Sequence, residues 1–384
     1  MTRITRLPVR RGAVGAAYAA QGLGYATIVT ALPALKDRVS IDDTTVSLLL
    51  LGTCLAAAAG SLLADVIAVH RGSRAALVTG LAAQAVALIA VGLTASFPLL
   101  VIALAVYGVG LGAVDAASNM QGALLQRFHE RPVFGRLYAA YTGAAILATG
   151  ATALVLATRV PATVTLVVAA VVPAAIALWG ARAFDPARAA RNADEPVADR
   201  TPLPRRAIWA VGSIVFAAFV IDSAVASWST IYLTDGLRAE PGLTPLGYGA
   251  YLVAMLAARL GTDPAVRAFG RLRVGVAAVV IAIAGAIVVA AVPVVPAAIV
   301  GFAAMGAASG ALVPIAFSRA GELLPERGDE IIARVNLFNY GGAVAGAVAL
   351  GLIAAGPALG PAFLIPAVIL ALLSPSLRAL RVRR

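Results

Sequence analysis

The chain has 384 residues, of which 61% are hydrophobic and 12% are charged, and its formal net charge is +12. A soluble globular protein carries about 25% charged residues, so this composition excludes that class and indicates a polytopic membrane protein. The one cysteine, Cys54, lies in an apolar segment, and His70 and His129 are far apart in the sequence. These residues exclude a disulfide framework and predict neither a metal site nor a bound cofactor.

Apolar segments of about 20 residues recur along the whole chain and predict 12 transmembrane helices. We place them at residues 12–34, 44–67, 75–95, 98–122, 136–157, 162–182, 207–232, 246–267, 274–291, 297–320, 334–355 and 361–377. Residues 184–206 are polar and rich in Pro and Arg, which predicts a cytoplasmic linker between residues 1–183 and residues 207–384. The predicted fold class is an all-α membrane protein of two pseudo-symmetric six-helix bundles.

Basic residues alternate between successive loops, as the positive-inside rule requires of a cytoplasmic N-terminus. The turns predicted on the outer side contain Lys36, Arg38, Arg159 and Arg238. All other arginines except Arg259 lie in segments predicted on the cytoplasmic side. The charge therefore predicts topology and not a nucleic-acid partner. We expect a multi-pass protein of a bacterial cytoplasmic membrane with both termini in the cytoplasm.

The two halves repeat each other at a constant spacing of 198 residues. Asp65 and Asp263 form one pair at this spacing, and Gly72 and Gly270 form another. Further pairs are Asp37 with Asp235, Gly108 with Gly306, Gly112 with Gly310, Arg136 with Arg334, and Gly143 with Gly341. Two six-helix repeats joined by a central loop are the architecture of transporters that work by alternating access, with a site near the bilayer midplane.

Two carboxylates lie inside predicted membrane helices, Asp115 in the fourth and Asp222 in the seventh. Asp115 shares a helical face with Gly108, Gly112 and Asn119, which are spaced three or four residues apart. An ionisable group at that depth costs about 2.5 kcal/mol or more, so we predict that both acids serve proton coupling. The alternative is that each is a structural acid hydrogen-bonded to a neighbouring helix.

Polar and aromatic residues recur in helices that are otherwise apolar, and they predict the lining of a substrate cavity. Interhelical hydrogen bonding is the alternative for this group, and Trp228 is alternatively an interfacial anchor. The predicted cavity residues are Tyr18, Gln21, Tyr25, Asn119, Tyr138, Tyr141, Trp228, Asn336, Asn339 and Tyr340.

Three segments carry a resemblance to a known family. Leu111–Asn119 contains an acidic residue followed by a small-residue run ending in Asn, Trp228–Leu233 reads Trp-Ser-Thr-Ile-Tyr-Leu, and Gly247–Tyr251 leads to Arg259–Asp263. Over essentially its whole length the chain resembles the major facilitator superfamily. Its pattern is most similar to the branch of fucose/proton symporters and their bacterial relatives. The resemblance implies that Asp115 corresponds to a proton-carrying carboxylate of the fourth helix.

Residues 60–74 resemble the superfamily's gate motif, Gly-x-Leu-Ala-Asp-Arg-x-Gly-Arg, and we predict that they form the loop between spans two and three. The chain departs from the motif, since Val69 stands in the usual position of the Asp and Asp65 lies one helical turn earlier. The resemblance implies a gate that closes the cytoplasmic side. The predicted gate residues are Asp65, Arg71, Gly72, Arg74, Asp263 and Gly270.

These patterns predict a monomeric, proton-coupled secondary transporter that moves a small polar solute such as a sugar. Its predicted partners are the small-molecule substrate, protons and the lipid bilayer. A multidrug antiporter of the same fold is the nearest alternative, and a membrane sensor without transport activity is a further one. An enzyme is disfavoured because no nucleophile and base are paired in the sequence, and a channel is disfavoured because no ring of like side chains is encoded.

Overall fold

The computed structural model describes residues 11–41, 43–156, 160–186, 202–240, 243, 246–353 and 359–381. The predicted linker at residues 184–206 therefore lies largely outside the described residues. The first six helices are α1 (Arg11–Val39), α2 (Asp43–Arg71), α3 (Ser73–Leu93), α4 (Phe97–His129), α5 (Phe134–Leu156) and α6 (Ala162–Ala183). They are followed by α7 (Arg205–Ile231), α8 (Leu246–Phe269), α9 (Arg271–Ala291), α10 (Val295–Leu323), α11 (Gly328–Ile353), α12 (Leu359–Ala362) and α13 (Leu364–Leu373).

The described chain is helical throughout, and the predicted all-α class is confirmed. Among the described residues, eight segments are long and apolar enough to cross a membrane by length and composition, including one at Leu359–Leu380 that unites α12 and α13. The other long helices are α1, α5, α8 and α11, which include the polar residues Gln21, Arg259 and Asn336. Together these segments account for the 12 spans of the predicted fold.

The loop predicted between spans two (44–67) and three (75–95) is instead mostly helix. Helix α2 continues to Arg71, and α3 begins at Ser73, so Gly72 alone separates them. Gly72 has a φ of 85°, and Gly270, between α8 and α9, has a φ of 80°. Both values lie in the region that residues with a Cβ adopt only under strain, which explains the glycine at the two repeat-related turns.

Two compact units can be distinguished. The N-terminal unit comprises Met1–Arg131, Ala140–Pro202 and Leu324–Ala333, and the C-terminal unit comprises Pro132–Ala139, Leu203–Leu323 and Arg334–Arg384. The first residues of α5 therefore belong to the C-terminal unit, and the first residues of α11 belong to the N-terminal unit. In the N-terminal unit Ser61 Oγ donates a hydrogen bond to the Ala333 carbonyl at 3.4 Å.

Glycine allows close helix packing in both units. In the N-terminal unit, a Cβ built on Gly112 of α4 would overlap the Ala57 carbonyl oxygen of α2. In the C-terminal unit, a Cβ on Gly306 of α10 would overlap the Tyr251 carbonyl oxygen of α8. Close approach of this kind stabilises membrane helices through van der Waals contact, since lipid supplies no hydrophobic driving force between them.

Candidate functional site

The N-terminal unit contains a polar cluster between α1 and α4. Gln21 Nε2 donates a hydrogen bond to Asp115 Oδ1, and Tyr18 Oη donates one to Asn119 Oδ1 at 2.6 Å. Asn119 Nδ2 in turn donates to the Asp115 backbone carbonyl at 2.9 Å. Tyr18, Gln21 and Asn119 are all buried, whereas Asp115 is partly exposed. The structure thus brings four of the sequence-predicted residues into one connected site.

Two further tyrosines extend this cluster along α1 and α4. Tyr25 of α1 is 45% exposed, whereas Tyr107 of α4 is buried. Tyr107 Oη has no hydrogen-bond partner among the described residues. A Cβ on Gly24 would lie 3.3 Å from this oxygen, so the glycine gives the hydroxyl room beside α1. The backbone carbonyl of Tyr141 in α5 packs against Gly22 in α1.

The C-terminal unit holds its own polar cluster around Asp222. Tyr251 Oη of α8 donates a hydrogen bond to Asp222 Oδ1 of α7 at 2.8 Å. The Tyr251 ring is completely buried and stacks on Tyr248, with ring centroids 6.0 Å apart. Ser309 Oγ of α10 donates a hydrogen bond to the Ala218 carbonyl of α7 at 3.4 Å.

A buried arginine lies beside this second cluster. Arg259 of α8 is only 6% exposed. Its Nη1 donates to the Tyr138 carbonyl at 3.3 Å, and the guanidinium carbon lies 5.2 Å from the Tyr138 ring centroid. A buried charge is retained where paired charges and aromatic faces replace water. Arg259, which the positive-inside pattern left unassigned, therefore has a role inside the C-terminal unit.

The predicted gate residue Asp263 caps the first turn of α5. Its Oδ1 accepts a hydrogen bond from the Gly135 backbone N–H at 3.0 Å, and its Oδ2 accepts one from the Arg136 N–H at 3.2 Å. A carboxylate at this position satisfies unpaired N–H groups and is favoured by the helix dipole. Gly135 is required for the approach, because a Cβ there would lie 2.5 Å from the Arg259 carbonyl.

The other predicted residues lie apart from these contacts. Asn336 Nδ2 donates to Tyr340 Oη at 3.4 Å within α11, and Asn339 is also buried there. Trp228 Nε1 donates to the Ala347 carbonyl at 2.9 Å and so ties α7 to α11. Asp65 lies within α2, and Arg71 and Arg74 lie on either side of the Gly72 turn.

Both clusters combine a carboxylate with hydrogen-bonding side chains. Each unit places one partly exposed carboxylate among phenol, amide or hydroxyl groups inside a helical bundle. These groups donate and accept hydrogen bonds with polar molecules and can stabilise a carboxylate in either protonation state. The described residues around Asp115 and Asp222 thus suit ion-coupled binding of a small polar solute.

Comparison with known proteins places the chain in a family. The sequence profile of the Major Facilitator Superfamily matches residues 14–294. The chain belongs to the Major Facilitator Superfamily. The family predicted from the sequence is therefore confirmed, and with it membership of a family of multi-pass membrane transporters.

Bacterial relatives match this MFS chain over most of its length. An uncharacterised MFS-type transporter of Yersinia pestis is 28% identical over 362 residues, covering 93% of this chain and 92% of that protein. An uncharacterised transporter of Sinorhizobium fredii is 29% identical over 296 residues, covering 76% of this chain and 78% of that protein. These relatives support the transporter family without naming a substrate.

A solved structure shares the fold. The MFS transporter FucP in its outward conformation matches with a TM-score of 0.81, covering 97% of this chain and 98% of that chain. A further FucP structure is that of the E. coli fucose:proton symporter. Because the sequence identity is 15%, this likeness shows the MFS fold alone.

Sequence reasoning missed several residues that the structure brings to these clusters. Tyr107, Tyr251 and Ser309 are uncharged, and such residues are common in membrane helices as ordinary packing or hydrogen-bonding groups. Arg259 did carry a signal, since an arginine inside an apolar helix is costly and calls for a partner. The sequence could not indicate that Tyr138 of α5 is one of its partners.

Proposed function

We propose that this MFS transporter is a proton-coupled symporter of a small polar, sugar-like solute in a bacterial cytoplasmic membrane. The observation that carries the proposal is the Asp115 cluster, where a partly exposed carboxylate is held by Gln21 beside the Tyr18–Asn119 hydrogen bond. The transporter works by alternating access as a monomer, with both termini in the cytoplasm.

Asp115 is the proton carrier in this proposal. Its nearest hydrogen-bond donor is a neutral amide, which can stay in place whether the carboxyl group is ionised or protonated. Tyr18 and Asn119 supply hydroxyl and amide groups for a solute with several hydroxyls. Binding of the solute near Asp115 then depends on the protonation state of the carboxylate, which is the coupling that symport requires.

Asp222 is the second coupling carboxylate. Tyr251 donates a hydrogen bond to it at 2.8 Å. We assign the larger share of proton exchange to Asp115, because it lies beside the Tyr18–Asn119 pair that would bind the solute, and a supporting share to Asp222.

The test is sugar-driven proton movement in right-side-out vesicles that contain the transporter. Addition of the transported sugar to the wild-type protein is expected to make the external medium alkaline as protons enter. Asp115→Asn should abolish this flux, because the amide mimics the protonated acid and cannot release a proton. The same variant should still exchange labelled sugar across the membrane, which shows that it folds and binds.

Asp235→Asn is the matched control, since Asp235 is exposed in the π-helical turn after α7, and its flux should equal that of the wild type. Proton flux that survives in Asp115→Asn would refute the assignment of Asp115. If no sugar moves protons but lipophilic cations are expelled in exchange for protons, the protein is an antiporter. The absence of any solute movement would instead favour a membrane sensor.

A further inference from the structure

A groove within the C-terminal unit runs along α7 and α11 and is unrelated to the Asp222 cluster. It has a volume of about 630 Å³. Its lining is Arg205, Ile208, Trp209, Phe216, Arg334, Leu337, Phe338 and Gly341. Two arginines and six apolar residues thus share one elongated surface.

The groove is amphipathic along its length. Arg205 begins α7, and Arg334 lies in the second turn of α11, so both guanidinium groups belong to the end of these helices that the charge pattern predicts to be cytoplasmic. Both arginines are exposed. Phe216 follows Arg205 by three helical turns, which places it about 16 Å further along the axis. Charge is therefore concentrated at one end and apolar surface at the other.

Aromatic rings form the walls of the groove. The Trp209 and Phe338 rings meet edge to face with centroids 5.1 Å apart, yet Trp209 remains 66% exposed. Gly212 lets the Phe338 ring approach α7, since a Cβ there would lie 2.5 Å from the ring. Gly341 faces the Phe216 ring, since a Cβ added there would make ordinary van der Waals contact with the ring at 3.7 Å.

We propose that this groove binds one anionic glycerophospholipid from the cytoplasmic leaflet. The phosphodiester group would contact Arg205 and Arg334, and an acyl chain would lie along Trp209, Phe338 and Phe216. Charge complementarity favours this occupant, because basic pockets between membrane helices on the cytoplasmic side suit anionic headgroups. An exposed Trp one turn from the helix end is also typical of the headgroup region.

The proposal uses the predicted membrane orientation and is independent of transport activity. Its probe is the fluorescence of Trp209 in the full-length chain carrying Trp179→Phe and Trp228→Phe, which leaves a single Trp. This protein is reconstituted into phosphatidylcholine vesicles that contain a small, equal fraction of either brominated phosphatidylglycerol or brominated phosphatidylcholine. Both leaflets carry the brominated lipid, so the orientation of the reconstituted protein does not affect the result.

Brominated phosphatidylglycerol is expected to quench Trp209 with a relative affinity roughly tenfold higher than brominated phosphatidylcholine. Arg205→Gln combined with Arg334→Gln should remove this preference. Arg273→Gln combined with Arg378→Gln should keep it, because these exposed arginines belong to the same unit but lie outside the groove.

A second variant tests the apolar part of the site. Gly341→Phe places a ring in the groove and leaves its charge unchanged. It should lower the quenching of Trp209 by both brominated lipids. Equal quenching by the two lipids in the parent protein would overturn the proposal, as would a preference that survives Arg205→Gln with Arg334→Gln. Strong quenching by aqueous iodide with weak quenching by both lipids would show a water-filled groove and would also overturn it.

Discussion

At the scale of single residues, Gln84 in α3 has a buried side-chain amide that makes no hydrogen bond to the described part of the chain. Its exposed fraction is 1%, and neither Oε1 nor Nε2 has a partner among the described residues. A buried polar group left unsatisfied costs about 1–3 kcal/mol. Gln84→Leu should therefore stabilise the protein by about 1 kcal/mol, seen as a higher midpoint of thermal unfolding in detergent.

Gln121 supplies the matched control for this prediction. Its Nε2 donates to Ser73 Oγ and to the Asp185 carbonyl, each at 3.0 Å, and its Oε1 accepts from the Asp185 N–H at 3.0 Å. Gln121→Leu should lower the unfolding midpoint because three bonds are lost. A lower midpoint in Gln84→Leu would contradict the prediction and would indicate that the Gln84 amide binds water or solute.

At the scale of helices, the contact between α2 and α4 depends on Gly112. A methyl group there would overlap the Ala57 carbonyl oxygen. Because this oxygen belongs to the backbone of α2, the overlap could be relieved only if one of the two helices shifted. Gly112→Ala should destabilise the protein by about 1–3 kcal/mol, as overpacking typically does. Thermal unfolding of the purified protein is the measurement.

Gly52→Ala in α2 is the control, since a Cβ at Gly52 meets nothing within 4 Å among the described residues. It should leave the unfolding midpoint unchanged or raise it slightly, because Ala favours helix more than Gly does. Equal effects of the two substitutions would show that α2 and α4 do not pack closely at Gly112.

Asp263 of α8 caps the N-terminus of α5, which is a second contact between helices. Asp263→Ala removes two hydrogen bonds from the Gly135 and Arg136 N–H groups, and loss of a helix cap costs about 0.5–2 kcal/mol. We expect faster hydrogen–deuterium exchange in the first turn of α5. Asp235→Ala should not change it, and unchanged exchange in Asp263→Ala would refute the capping role.

At the scale of the whole molecule, the distribution of arginines predicts that both termini are cytoplasmic. A green fluorescent protein fused after Arg384 should therefore be fluorescent, and alkaline phosphatase fused at the same position should be inactive. Phosphatase inserted after Arg238, in a turn predicted on the outer side, should be active. An active phosphatase at the C-terminus would reverse the predicted orientation.

The 12-span fold and the superfamily could be predicted from the sequence, because hydropathy and helical period are local properties of the chain. The residues at which helices end could be predicted less accurately. The sequence predicts that span two ends at residue 67, since His70, Arg71 and Arg74 are polar, yet α2 runs on to Arg71 and a single positive-φ glycine makes the turn. The 198-residue repeat also indicated that Gly72 and Gly270 are equivalent, and both have the same backbone conformation.

The sequence alone identified Asp115 and Asp222 as costly intramembrane acids, together with several polar residues around them. The tertiary structure decided their partners. Gln21 and Asp115 are 94 residues apart in the chain, and Tyr251 and Asp222 are 29 apart on different helices. Hydropathy and period specify which face of a helix is polar, whereas a hydrogen bond also requires the rotation, depth and spacing of two packed helices. Only the packing of α1 with α4 and of α7 with α8 determines those quantities.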